Sequence, residues 1–384
     1  MRKVPYVAIV TPGTFAIPSG KSSSVELVVE NVAKRVSGET KLFVFGKKTK
    51  RLPSREIRDG VVYIRPQVRK KGGYIYRVNR ELKLLQPDVI QVENRPRFVL
   101  FLRKRHPRTP IWLSLHSLNF VSRPYISRVQ LKRCCEAADL IIVNSEYLRE
   151  RITRLVPGIR SKVRINHLGV DLERFKSRWE DEGRRLRQQM MTGQGLEGRK
   201  IILYVGRWIE QKGIHRLLEA MPDIVREVPE AMLIIIGGAS YGSNRITPYV
   251  RELYRLARKV PKHVRFVDFV PHDRIEDWYR IADVQVVPSL SKEAFGLVNV
   301  EAMATGVPVI GTNVGGVGEV IVHGVTGFLL EPDHLGEHLP KAAVTLLKHD
   351  ELRRCMAEQC LRHVREHFTW EHTAARWLDM IRER

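Results

Sequence analysis

The chain has 384 residues, too many for one ordinary hydrophobic core and well suited to two domains. Hydrophobic residues make up 43% and charged residues 28%, which excludes a disordered chain. Lys and Arg outnumber Asp and Glu 66 to 42, and the imbalance is one-sided: residues 1–200 hold 43 basic and 18 acidic side chains, residues 201–384 hold 23 and 24.

From the N-terminus, MRKVPYVAIVTPG carries too short an apolar run for a signal peptide, and no 18-residue apolar stretch follows anywhere that would suit a membrane span. VPYVAIVT reads as a buried strand. A Gly/Ser loop, PSGKSSS, then leads into VELVVENVAKRV at helical spacing, and KLFVFG is strand-like again. That order opens a parallel α/β sheet. The runs DVIQVE (88–93), IWLSLH (111–116) and LIIVNS (140–145) each end in a polar residue. Ligands bind at the C-terminal ends of strands in such sheets, so Glu93, His116 and Ser145 fall at one edge by pattern. The stretch 176–199 is charged and lacks apolar periodicity, which reads as a linker with an exposed helix. KIILYVG, AMLIIIGG, VRFVDFV, VQVVPS and VPVIG then repeat the strand scheme over residues 200–311.

The expected architecture is two doubly wound Rossmann-like α/β domains facing each other across a cleft. The expected boundaries are 1–178 for the first domain, 179–198 for a linker and 199–366 for the second domain. Residues 367–384 form a terminal helix that either domain could hold, packing back on the first being one of the two options. Cys134, Cys135, Cys355 and Cys360 contain no CxxC pair, which suits a reducing cytosolic compartment.

The segment VVPSLSKEAFGLVNVEAMATGVPVIG (286–311) carries the strongest chemical signal. A strand ends, a loop carries Glu293, and Gly296 opens a helix with Glu301 on its second turn. The N–H groups at such a helix start form an anion site, and Gly296 lets a ligand approach the backbone. A carboxylate beside a phosphate site suits a ribose diol. In LYVGRWIEQKG (203–213), Arg207 and Lys212 follow a buried strand, where both can reach one diphosphate. GTNVGGVGEVI (311–321) is glycine-rich, but its spacing does not fit G-x-G-x-x-G, so a nicotinamide site is not indicated. SGKSSS (19–24) resembles the end of a P-loop, yet the position that needs glycine is Phe15, so a kinase or ATPase reading fails. The absence of HExxH and DxD elements argues against a catalytic metal.

Taken together these elements resemble the retaining glycosyltransferases of family 4, which have the GT-B fold. The matching pieces are EAFGLVNVE (293–301), GRWIEQKG (206–213), GGVGEVI (315–321), NHLGVDLERF (166–175) and GVTGFLLEPD (324–333). Residues 88–124 are similar to the spore-coat-associated members of that family in bacilli. The resemblance implies that Arg207 and Lys212 hold the donor diphosphate and that Glu301 binds the ribose. Glu293 meets the sugar hydroxyls, and the backbone N–H groups of Ala294, Phe295, Gly296, Leu297 and Val298 lie against the phosphate and sugar. His116 matches a cleft histidine near the transferred sugar, and Gly20 matches a glycine-rich loop of the first domain, where Lys21 replaces a second glycine. The catalytic set is then Glu293, His116, Arg207 and Lys212, and no metal or other cofactor is expected.

The implied reaction moves a sugar from a UDP- or GDP-linked donor to a hydroxyl of a glycan, a glycolipid or a cell- or spore-surface polymer. A non-catalytic coat or surface-assembly protein on the same scaffold is the competing reading. Nucleic acid is not an expected partner, because the basic residues form no recognition module and no regular aromatic platform. An anionic membrane surface or a polyanionic acceptor makes better use of the charge. The implied location is cytoplasmic, peripheral on the inner membrane face or associated with a spore coat.

Overall fold

A computed structural model describes residues 4–18, 23–68, 73–240 and 245–384. The chain divides into two compact units, one of residues 1–168 with 370–384 and one of residues 169–369. The boundary therefore falls at Leu168/Gly169, earlier than residue 178, and the last helix, Trp370–Arg382, belongs to the first unit.

Among its described residues the first unit carries an eight-stranded sheet. Its strands are β1 (Tyr6–Val10), β2 (Lys41–Phe45), β3 (Arg55–Arg58), β4 (Val61–Ile64), β5 (Val89–Glu93), β6 (Ile111–Leu115), β7 (Leu140–Val143) and β8 (Val163–Ile165). The order is β3-β4-β2-β1-β5-β6-β7-β8, parallel except for the β3–β4 pair. β5 is buried along its whole length, because helices cover both faces of a central parallel strand. Val28, Val29 and Val32 of the helix Ser24–Val36 are buried at i, i+1 and i+4, the spacing that puts one helix face on the sheet. Strand order reverses between β1 and β5, which places Glu93 at the switch point. Ser145 caps the helix Glu146–Leu155, accepting from the Leu148 N–H at 3.1 Å, so its edge position serves the backbone.

The second unit has a six-stranded parallel sheet among its described residues: β9 (Lys200–Arg207), β10 (Ala231–Gly238), β11 (Val264–Val267), β12 (Val284–Val287), β13 (Val309–Thr312) and β14 (Gly327–Leu330). Its order is β11-β10-β9-β12-β13-β14, the 3-2-1-4-5-6 arrangement of dinucleotide-binding sheets. The apolar residues Ile214, Leu217, Leu218, Met221 and Ile224 of one helix are buried in its core. The extended segment 264–270 is a strand only over Val264–Val267.

Residues 179–198 are not a linker. They include the helix Asp181–Gly193, which belongs to the second unit. Arg178 and Arg187 both bind the buried Asp283 carboxylate, at 2.9 and 3.2 Å. The Trp179 indole N–H donates to the Gly306 carbonyl at 2.8 Å. Charge obscures this anchoring in the sequence, because the groups that dock the segment are arginines and not an apolar stripe.

Candidate active site

The switch point of the second sheet lies between β9 and β12, where the chain leaves both strands at their C-terminal ends. Two glycines let the segments that leave β9, β12 and β13 approach one another. Gly213 has φ +66°, and a Cβ there would lie 1.9 Å from the Pro288 carbonyl oxygen. Gly315, also at φ +66°, would put a Cβ 1.8 Å from the Glu293 carbonyl oxygen. That oxygen accepts from the Gly316 N–H at 2.9 Å. The glycine-rich turn thus clamps the Glu293 peptide, a backbone role that explains its failure to match a dinucleotide fingerprint.

Lys212, in the turn after β9, forms an ion pair with Glu293 Oε2, and the Ser289 hydroxyl donates to the same oxygen at 3.1 Å. The Glu293 side chain is 14% exposed. Burial pushes its carboxyl up, but Lys212, Ser289 and the nearby charge of Arg207 outweigh burial and hold it below the usual range. Arg207 ends β9, and its carbonyl accepts from Tyr204 at 3.0 Å. The structure therefore pairs Lys212 with Glu293 and ends β9 at Arg207, whose charge also acts on the Glu293 carboxylate. Gly296 opens the helix Leu297–Ala304 directly after the loop. Ala294 and Phe295 are buried, and the Phe295 ring packs against Phe368, so only their backbone can face a ligand. Leu297 and Val298 are half-buried in the first turn, where helix N–H groups lack intrahelical partners.

Glu301 lies on the same helix and is 5% exposed. His272 Nε2 stands 2.8 Å from Oε1, and the Tyr279 hydroxyl donates to Oε2 at 2.7 Å. Arg174 donates to His272 Nδ1 at 3.0 Å and to Glu276 at 2.9 Å. An arginine can only donate, so His272 carries its proton on Nε2 and gives it to Glu301. Burial and the Glu301 carboxylate push the Tyr279 hydroxyl well above its usual range, so it remains a donor. Sequence reasoning missed His272 and Tyr279, which no motif marks. Arg174 sat within NHLGVDLERF but had no assigned role.

His116 belongs to the first unit, just beyond β6. Its Nε2 lies 2.7 Å from Glu93 Oε2 and 3.2 Å from Ser114 Oγ. Asn94 follows Glu93 in the left-handed region, φ +53°, and its side chain accepts from the His116 N–H at 3.3 Å. Gly20 lies outside the described residues. No helix among the described residues is long and apolar enough to cross a membrane.

Residues 25–174 match the family model described as glycosyltransferase family 4, and residues 187–362 match glycosyl transferases group 1. Spore coat protein SA of Bacillus subtilis (strain 168) is 33% identical over 374 residues, covering 97% of this chain and 98% of the relative. A protein of the same organism named putative glycosyltransferase YtcC is 32% identical, covering 94% of this chain and 87% of the relative. Among solved structures, Anabaena Alr3699/HepE in complex with UDP-glucose superposes with a TM-score of 0.80 at 20% identity, covering 99% of this chain and 100% of that one.

Proposed function

Because the chain belongs to the group 1 and family 4 glycosyltransferases, we propose that it transfers a sugar from a nucleoside diphosphate donor to an acceptor hydroxyl, with retention and without a metal. The observation that carries this reading is the junction of Lys212, Arg207 and the helix start at Gly296 around Glu293. Breaking the glycosidic bond leaves its electron pair on the diphosphate. Two fixed cations and a helix N-terminus supply the positive field that this growing charge requires, in the role a metal plays elsewhere. The acceptor oxygen bonds to the anomeric carbon on the face the diphosphate leaves, and its proton passes to the departing phosphate oxygen. That path keeps the anomeric configuration and needs no protein nucleophile. Glu293 meets the sugar hydroxyls, and Glu301 takes the ribose hydroxyls on the lone pairs His272 and Tyr279 leave over. The UDP-glucose held by the HepE neighbour favours a uridine donor over a guanosine one.

A panel of UDP- and GDP-linked sugars, scored by release of the nucleoside diphosphate, tests this reading with Glu293→Ala as control. Release from at least one UDP-sugar is expected. The name of the 33% identical relative favours a second reading, a non-catalytic coat component. Release no higher than the control across the panel would select it.

The acceptor class we propose is a surface glycan or glycolipid, reached from an anionic membrane surface. The excess of basic over acidic side chains in residues 1–200, 43 against 18, is the support for that placement. Purified protein is expected to sediment with vesicles containing anionic lipid and to be released as salt rises above roughly 0.15 M, where charge attraction is screened within about 8 Å. Equal binding to neutral vesicles would remove the electrostatic account.

A further inference from the structure

A line of hydrogen bonds that converges from both ends on the Glu93 carboxylate runs through the first unit. The Trp377 indole N–H, on the terminal helix Trp370–Arg382, donates to Gln91 Oε1 at 2.8 Å. An indole nitrogen can only donate, so it fixes which end of the Gln91 amide is oxygen. The Gln91 Nε2 group therefore faces Glu93 and donates to Oε1 at 2.5 Å. The other carboxylate oxygen, Oε2, meets His116 Nε2 at 2.7 Å. Gln91, Glu93 and Trp377 are all buried. At the far end of the line, His116 Nδ1 is buried without a hydrogen-bond partner. The histidine lines a cavity of about 30 Å³ together with Gln91, Glu93, Ser114 and Asn144. Val28, Val32, Ile142 and Trp377 line the same space, whose volume admits one hydroxyl-sized group. The backbone of His116 is held as well, because its carbonyl accepts from Asn144 at 3.4 Å and its N–H donates to Asn94.

We propose that Trp377, Gln91 and Glu93 are positioning residues that lock His116 in the tautomer with its proton on Nε2, leaving Nδ1 as an acceptor for a sugar hydroxyl. The carboxylate can only accept, so the ring nitrogen facing it must donate, and the second nitrogen then carries a bare lone pair. The other carboxyl acting on the ring is Glu26, which burial pushes toward its neutral form. A phosphate oxygen, which has no proton to give, cannot use Nδ1 in this state; a hydroxyl can. The order of donors stands by itself, whereas the sugar partner rests on the transferase reading above.

The direction of the last link, between residue 93 and the ring, can be reversed without changing the line's shape. In Glu93→Gln, the Gln91 amide still needs an acceptor, so the new side chain turns its oxygen to Gln91 and its NH₂ to the ring. His116 Nε2 must then accept, and the proton moves to Nδ1. In the double variant Gln91→Glu, Glu93→Gln, the carboxylate accepts from Trp377 and from the new amide, whose oxygen again accepts from Nε2–H. Charge and shape match the parent, and the parent tautomer returns.

Nitrogen-15 NMR of the histidine ring reads the proton's place directly in the full chain. The parent is expected to show a protonated Nε2 and a bare Nδ1, Glu93→Gln the reverse, and the double variant the parent pattern. Nucleotide release at limiting donor should fall about tenfold in Glu93→Gln, the worth of one lost hydrogen bond, and return to within about threefold in the double variant. A doubly protonated ring in the parent, or a tautomer unmoved by Glu93→Gln, overturns the lock. Tautomers that switch as expected while both variants release nucleotide at the parent rate overturn the hydroxyl role. A parent with no transfer activity leaves the spectra to decide the lock, so failure of the transferase reading is told apart from failure of this one.

Discussion

Lys212→Ala is expected to lower turnover by about 10² to 10³, or roughly 3–4 kcal/mol of barrier, while Lys212→Arg keeps a larger share of the rate. Two effects act together. The diphosphate loses a fixed cation at the moment its charge grows, and Glu293 loses the partner that holds its carboxyl down. In the variant, burial is opposed only by Ser289 and the more distant Arg207, so the Glu293 carboxyl rises toward neutral pH. Residual activity should therefore climb with pH over a range where the parent is flat. The two losses are not independent, because Lys212 and Glu293 form one ion pair. A double-mutant cycle with Glu293→Ala should show a coupling of about 1–3 kcal/mol in transition-state stabilisation. Single-turnover release of the nucleoside diphosphate measures all three variants. A Lys212→Ala enzyme within tenfold of the parent would mean that Lys212 serves only to hold Glu293 in place.

Much of this region is legible in the sequence because its chemistry is local. Arg207 and Lys212 are five residues apart and follow one strand, and Glu293 and Glu301 flank one helix start, so short spacing reports spatial proximity. What escaped is what the fold joins over long distances. Asp283 looks like any acidic residue before a strand, but it binds arginines about a hundred residues away. Tyr279 and His272 read as part of an ordinary helix and loop, and only the folded unit places them against Glu301. Trp377 reads as an apolar residue of a terminal helix; its N–H reaches Gln91 only because that helix returns to the first sheet. Charged segments mislead for a related reason. Residues 176–199 lack an apolar stripe, yet Arg178 and Trp179 are held by groups of the second unit, so polar anchors do the docking that periodicity would otherwise reveal. The β3–β4 hairpin, at the sheet edge, also went unread, because three of the four β3 residues are exposed and give no apolar run.

Asp283→Asn should be the most destabilising conservative change in the second unit. The carboxylate sits under the switch point: Asp283 N–H donates to the Ile201 carbonyl at 2.8 Å, and Oδ2 accepts from the Ile201 N–H at 2.7 Å. These bonds tie the start of β12 to the start of β9, at the opposite end of the strands from Lys212 and Glu293. Oδ1 takes Arg178 and Arg187. Burial pushes the Asp283 carboxyl up, but the two guanidinium groups and the Ile201 N–H outweigh it and hold it at about 2. Its folded value lies below the unfolded one. The stability it contributes is therefore complete above the ordinary carboxylate range near pH 4 and disappears as pH falls toward 2. The pKa displacement corresponds to about 2 kcal/mol. Substitution costs more, about 3–5 kcal/mol, because the neutral amide leaves the buried Arg178 guanidinium uncompensated. Melting of the second unit should drop by about 10 °C at pH 7 and by a few degrees less at pH 3, where the parent has lost about 1 kcal/mol of the interaction. Arg178→Met added to Asp283→Asn should recover part of the loss, since the stranded charge is then gone. If Asp283→Asn melted with the parent at neutral pH, the pair would have no net electrostatic role, and the docking of residues 177–187 would rest on Trp179 and the backbone bonds of the arginines alone.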